Sequence, residues 1–248
     1  MAAARDVKYI AFEACPTAAT GAATHLVYGR FLRNASMQNW EDILDFWFPE
    51  GEGLDVDLAT HDANWKWRML GGADSEIVAR YSETTERAAR GEFDQWADDP
   101  HGRLALIIVL DQFPRSVWRN SPRAFDQDEK ALALTLAGYS SGHYDALKTP
   151  WYRTVHNLPL IHAEGPDHLD RLDRAILLAR ENLDAAPLHL RPAYEFIAGQ
   201  PAEVRKVVAA FGRHPHRNAV LGRSSTPEEQ VYLAEGKFPH LRAPDIKV

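Results

Sequence analysis

From Trp40 onward, apolar side chains recur at helical spacing. Trp40, Ile43, Leu44, Trp47 and Phe48 fall at i, i+3, i+4, i+7 and i+8, one face of a helix that Pro49 ends. The same reading predicts a helix over 59–70, stopped by Gly71-Gly72. Another runs from an Asp74 or Ser75 cap to Arg90, with Gly91 as its stop. Residues 102–114, GRLALIIVLDQFP, hold seven apolar residues in a row, Leu104–Leu110. Such a run fits a buried strand or a buried helix. The Asp111-Gln112-Phe113 flank and the helical neighbours favour a helix ending near Pro114.

Ser121-Pro122 is a cap with a first-turn proline ahead of residues 123–142. Pro159 precedes a helix-like segment broken at Gly165-Pro166, and residues 167–183 are strongly amphipathic. Pro201 is expected to open a helix reaching about Phe211. Thr226 and Glu229 form a capping box for a last helix over 228–236. No segment alternates at period two between hairpin turns. The expectation is an all-α fold, a single domain of seven to nine helices in antiparallel pairs, spanning residues 37–248. Residues 1–36 are small and Ala/Thr-rich without sustained period, so they read as an N-terminal extension, with Met37 as an alternative natural start.

Composition narrows the function classes. The formal charge is −7, from 35 acids against 28 bases, which argues against a phosphate-neutralising face and hence against nucleic acid. The bases are 21 Arg and 7 Lys, a skew toward the side chain that grips carboxylates and phosphates with a planar fork. Cys15 is the only cysteine, which leaves no disulfide framework and points to a reducing, cytoplasmic setting. The longest apolar run has seven residues, far below a membrane span.

Chemistry concentrates in three blocks. In VLDQFPR, Asp111 follows directly on the most apolar run, where a carboxylate must be paired to be tolerated. Arg115, Arg119, Arg213 and Arg217 are the candidate partners. In HAE, His162 is a natural acid/base group at neutral pH, its ordinary pKa being about 6.5. Glu164 lies two residues on, about 200° around a helix, and orients His162 only if the backbone bends. In FGRHPHRN, residues 211–218, Arg213, His214, His216, Arg217 and Asn218 crowd around Pro215. With Arg223 they offer bidentate forks and amide donors to a carboxylate or phosphate. Each block has a bland reading too, as an internal clasp between loop and helix.

The segments ILDFWFPEG, GRLALIIVLDQFPRSVWRNSPRAFDQDEKAL, NLPLIHAEG and FGRHPHRNAVLGRSSTPEE stand in order at workable separations. Together they resemble the bacterial family called domain of unknown function 924, over about Asn39 to Phe238. The resemblance implies a helical-hairpin fold similar to tetratricopeptide (TPR-like) proteins. It marks Asp111, Gln112, Arg115, His162, Glu164, Arg213, His216, Arg217, Asn218 and Arg223 as special positions, and it implies no reaction. The chain departs from the family pattern at Ala163, at Gly165, at His214 in place of Phe, and at Val204 in place of His.

Three functions follow as expectations. The first is a small-molecule enzyme acting on an anionic metabolite by acid/base chemistry, hydrolase-like and needing no cofactor. His162 is the acid/base and Glu164 or Asp111 its orienter. Gln112, Arg115, Arg213, His214, His216, Arg217, Asn218 and Arg223 surround the substrate. The second is a TPR-like scaffold for a peptide or protein. The third is a metal-dependent hydrolase or oxygenase using His162, Glu164, His214 and His216. Two features oppose it: Pro215 favours extended backbone, which turns alternate side chains apart, and two guanidiniums would repel a cation.

Overall fold

In a computed structural model of the protein, residues 39–236 and Phe238 are described. The chain divides into two units at the Gln38–Asn39 bond. The predicted extension over 1–36, Met37 and Cys15 lie outside the described residues.

The described residues contain no strand. Helix α1 spans Trp40–Trp47, α2 Leu58–Met69, α3 Asp74–Ala89, α4 Pro100–Ile107 and α5 Pro114–Val117. Then follow α6 over Asp128–Ser140, α7 over His143–Ala146, α8 over Pro150–His162 and α9 over His168–Ala185. Helix α10 spans Arg191–Phe211 and α11 Pro227–Glu235. The fold is all-α, as the spacing of apolar positions predicts.

Local chemistry explains most of these limits. Asp57 accepts the Thr60 backbone N–H at the start of α2. Asp99 accepts two at the start of α4, from His101 and Gly102, with Pro100 in the first turn. The Thr226–Glu229 capping box is formed in both directions at α11. Gly212, at φ +72°, closes α10 in a left-handed turn that a side chain would disfavour.

Two prolines depart from expectation. Pro159 and Pro201 do not open helices; they lie inside α8 and α10, which begin earlier, at Thr149-Pro150 and Arg191-Pro192. An interior proline forfeits a backbone hydrogen bond and costs about 3 kcal/mol. Both rings are buried, in long helices that pack along α9. Tertiary packing therefore overrides the local signal.

The core sits around the apolar run. Leu104 to Leu110 are all fully buried, and α1, α3, α6 and α8 pack around them. Phe46, Trp47, Tyr81 and Phe113 pack against one another beside the run, Phe46 and Phe113 edge to face and the other pairs tilted. The run is not one continuous α-helix. Ile108–Gln112 form a turn of π-helix, in which the Phe113 N–H reaches back to the Ile108 carbonyl. Such a turn holds an extra residue, and it commonly marks a functional site.

Candidate active site

The π-turn delivers Asp111 to the C-terminal end of α8. Asp111 is fully buried, and Nδ1 of His162 stands 2.9 and 2.8 Å from its two carboxylate oxygens. Gln112 Nε2 donates to the same carboxylate at 2.5 Å, and the Arg115 guanidinium lies 3.8 Å away. Burial alone would raise the Asp111 carboxyl. The charge and hydrogen bond of His162, with Arg115 and Gln112, outweigh burial and hold it below its usual range.

A carboxylate can only accept, so this contact places a proton on Nδ1 of His162. Nε2, on the far side of the ring, has no hydrogen-bond partner among the described residues, and the side chain is 16% exposed. A buried acid, an oriented imidazole and an unbonded Nε2 are the parts that general acid/base chemistry uses.

The helix end carrying His162 is held firmly. The last carbonyls of a helix lack partners within it. Here the Ile161 carbonyl accepts from Nε2 of His168 at 2.9 Å and from Nε2 of His214 at 3.2 Å. Arg171 donates to the carbonyls of Leu160 and Ala163. The rings of His168, His214 and His216 follow one another with centroids 5.2 and 5.4 Å apart, the first pair edge to face and the second tilted, and Phe238 follows at 6.0 Å. Burial pushes all three histidines down, His168 to about 4 and His216 to about 3.

On the other side of Asp111 lies a second carboxylate, Asp128, in the first turn of α6. Arg115 donates to it at 2.5 Å and Arg217 at 3.0 Å, and Arg115 also donates to the Ala124 carbonyl. Both guanidiniums lie against the Phe125 ring, at 4.6 and 4.5 Å. Arg217 is 5% exposed, and burial lowers it to about 10, so it stays charged at neutral pH. Its buried Nε has no hydrogen-bond partner.

The structure brings Asp111, Gln112, Arg115, His162 and Arg217 into one connected network. His216 stands beside His214 and Phe238, with ring centroids 5.4 and 6.0 Å from theirs, and makes no hydrogen bond into that network. The remaining predicted residues form a separate chain of ion pairs. Glu164 holds Arg223 at 2.5 and 3.2 Å and accepts the His214 backbone N–H at 2.8 Å. Arg223 donates to Asn218, Asn218 to Glu229, and Arg213 makes a bidentate pair with Glu229 at 2.7 and 2.8 Å. FGRHPHRN thus divides: Arg213 and Asn218 clasp α11, whereas Arg217 joins the network around Asp111 through Asp128.

Three local expectations are corrected. Glu164 does not orient His162. The chain leaves α8 at Ala163 in an extended conformation, which turns Glu164 toward Arg223 and leaves Asp111 as the partner of His162. Pro215 does not splay its neighbours, because Pro215–Arg217 form one tight 3-10 turn that brings the rings of His214 and His216 together, tilted, at 5.4 Å between centroids. The ligand set His162, Glu164, His214 and His216 does not assemble. His162 is turned to Asp111, Glu164 to Arg223 and His214 to Ile161. Among the described residues, no three His, Cys, Asp or Glu side chains are grouped to hold an ion.

Asp128, Phe125 and His168 were not legible as site residues. Asp128 looks like any acid in a helix first turn; two arginines converging on it from Arg115 and Arg217 is a fact of three dimensions. Val204, where the family pattern has His, is a core residue of α10 at 2% exposure.

Residues 43–237 match the family described as bacterial protein of unknown function (DUF924). The chain belongs to that family. A solved structure of a protein of unknown function, ATU0120 from Agrobacterium tumefaciens, is 31% identical, with a TM-score of 0.56. The match covers 79% of this chain and 97% of that one. No curated protein matches this chain. No described helix of this DUF924 chain is long and apolar enough to cross a membrane.

Proposed function

We propose that the chain is an enzyme acting on a small anionic molecule by general acid/base catalysis, hydrolysis being the simplest form. The observation that carries this reading is the fully buried Asp111 holding Nδ1 of His162 while Nε2 is left reachable. Nε2 takes a proton from water or a substrate hydroxyl as the new bond forms. Asp111 stabilises the imidazolium, and Nε2 returns the proton to the leaving group.

The anion preference rests on Arg217. Asp111 and Asp128 balance Arg115 and Arg217 in formal charge, so the cluster gains positive charge when His162 is protonated. Arg217 still has an unused Nε, and His216 has no hydrogen-bond partner among the described residues. A scaffold for peptides would have no need of a carboxylate–imidazole pair at this depth.

The test is a panel of small carboxylates and phosphate esters, followed by proton NMR with wild-type protein and His162→Ala. Wild type is expected to consume at least one compound. The variant should lose that turnover by on the order of 10²–10⁴-fold while melting cooperatively. Equal turnover in the two proteins, or a panel left untouched by wild type, overturns the proposal.

A further inference from the structure

Gln112 stands apart from the other expected substrate contacts, because its amide is turned inward. It is 3% exposed, and Nε2 donates to Oδ2 of Asp111 at 2.5 Å. The same oxygen lies 2.8 Å from Nδ1 of His162. Side chains of adjacent residues on an α-helix point about 100° apart, whereas in the π-turn those of Asp111 and Gln112 meet. Among the described residues, His162 and Gln112 are the two side chains that hydrogen-bond the Asp111 carboxylate. Arg115 stays 3.8 Å away, its fork spent on Asp128 and the Ala124 carbonyl. One buried carboxylate therefore serves two donors, an imidazole that titrates and an amide that does not.

A hydrogen bond to a carboxylate stabilises its charge and draws part of that charge away from its other partners. An oxygen divided between amide and imidazole pulls less on the ring than one given to the ring alone. We propose that Gln112 is a positioning residue, which fixes the Asp111 carboxylate toward His162 and limits the negative charge that reaches the ring. An imidazole tied to an undivided buried carboxylate would keep its proton too well to pass it on. Sharing leaves the ring able to release the proton it takes, a role that presumes the acid/base reading of His162.

The other charged and titratable groups nearby stay constant around neutral pH. Arg217 keeps its charge, and burial holds His214 and His216 neutral. Arg115 is paired with Asp128, and Glu164 with Arg223.

Two-dimensional NMR of the ¹⁵N-labelled full chain follows the His162 ring nitrogens against pH, with His162→Asn identifying their signals. Gln112→Met keeps the length of the side chain and removes the donor. The His162 midpoint should rise by about one pH unit in that variant, a tenfold gain in proton affinity. In wild type, the side-chain amide signal of Gln112 should shift at the midpoint of the ring. That second reading carries the test if Gln112→Met does not fold. An unchanged or lowered midpoint in Gln112→Met overturns the proposal, as does an amide signal indifferent to the ring. Neither reading uses a substrate, so failure here and failure of the compound panel are separate results.

Discussion

His162 is held by Asp111 through Nδ1, at 2.8 and 2.9 Å from the two carboxylate oxygens, across fifty-one residues of sequence. The contact joins the end of α8 to a π-turn, so neither residue owes its place to the other's neighbourhood in the chain. Replacing Asp111 by Asn keeps the shape and removes the charge that stabilises imidazolium. Turnover of whichever anion the panel yields should fall by on the order of 10²–10⁴-fold in kcat. KM should change little, because Asp111 is buried beneath His162. Steady-state kinetics on the refolded variant check both numbers.

Asp128 serves two guanidiniums, and removing it leaves Arg217 without its carboxylate and Arg115 with only the 3.8 Å contact to Asp111. Asp128→Ala should destabilise by about 3–5 kcal/mol, the cost of breaking a buried ion pair from one side. Arg217→Met, which removes a buried charge with its own partial pairing, should cost less. Urea unfolding of the two single variants and the double variant measures the coupling. A double variant as stable as Arg217→Met alone would show that the carboxylate matters only through Arg217 and that its bond to Arg115 adds nothing.

Acid should unfold the protein earlier than its carboxylates alone would. Burial pushes His61, His156 and His168 to about 4 and His216 to about 3, from an ordinary 6.5. Between those values the unfolded chain binds protons that the folded chain refuses, so stability falls as pH drops. Stability is therefore full above 6.5 and is lost as pH falls toward 4. Lowered carboxyls such as Glu229, at about 2 through its Arg213 and Thr226 bonds, add their loss only below the ordinary carboxylate range. Urea midpoints across pH should be flat in the alkaline range and decline from 6.5 downward. A flat profile to pH 5 would contradict the assignment.

Gly102 lies inside α4, where alanine ordinarily gains about 1 kcal/mol in helix propensity. A Cβ there would run into the backbone carbonyl oxygen of Trp96, which has no room to move as a side chain would. Gly102→Ala should therefore destabilise by about 1–3 kcal/mol, reversing the propensity argument. A thermal melt decides the sign.

Helix positions were legible where a capping box or a glycine stop carried them, as at Thr226 with Glu229 and at Gly91. The expected Asp74 or Ser75 cap does not form: Asp74 is the first residue of α3, behind Ala73. Pro159 and Pro201 misled, because a proline signals a helix start only while the helix lacks deeper packing to compensate. Asp111 and His162 stood out as isolated polar residues beside apolar runs. Their pairing was one of two alternatives, Glu164 being the other, because a run of seven apolar residues has no period from which an extra residue in the turn can be read. The arginines were legible as carboxylate partners, but Asp128 and Glu229, the acids that claim Arg217 and Arg213, look in sequence like ordinary first-turn acids.

The π-turn over Ile108–Gln112 also has a meaning in terms of chain length. A wider turn is what one inserted residue leaves in a helix, and each residue advances an α-helix by about 100°. Losing one of the apolar residues of that turn would swing Asp111 away from His162 without altering a single polar group. A site of this kind is made or unmade by an insertion or deletion rather than by substitution. A relative could keep every named side chain and still lack the pair.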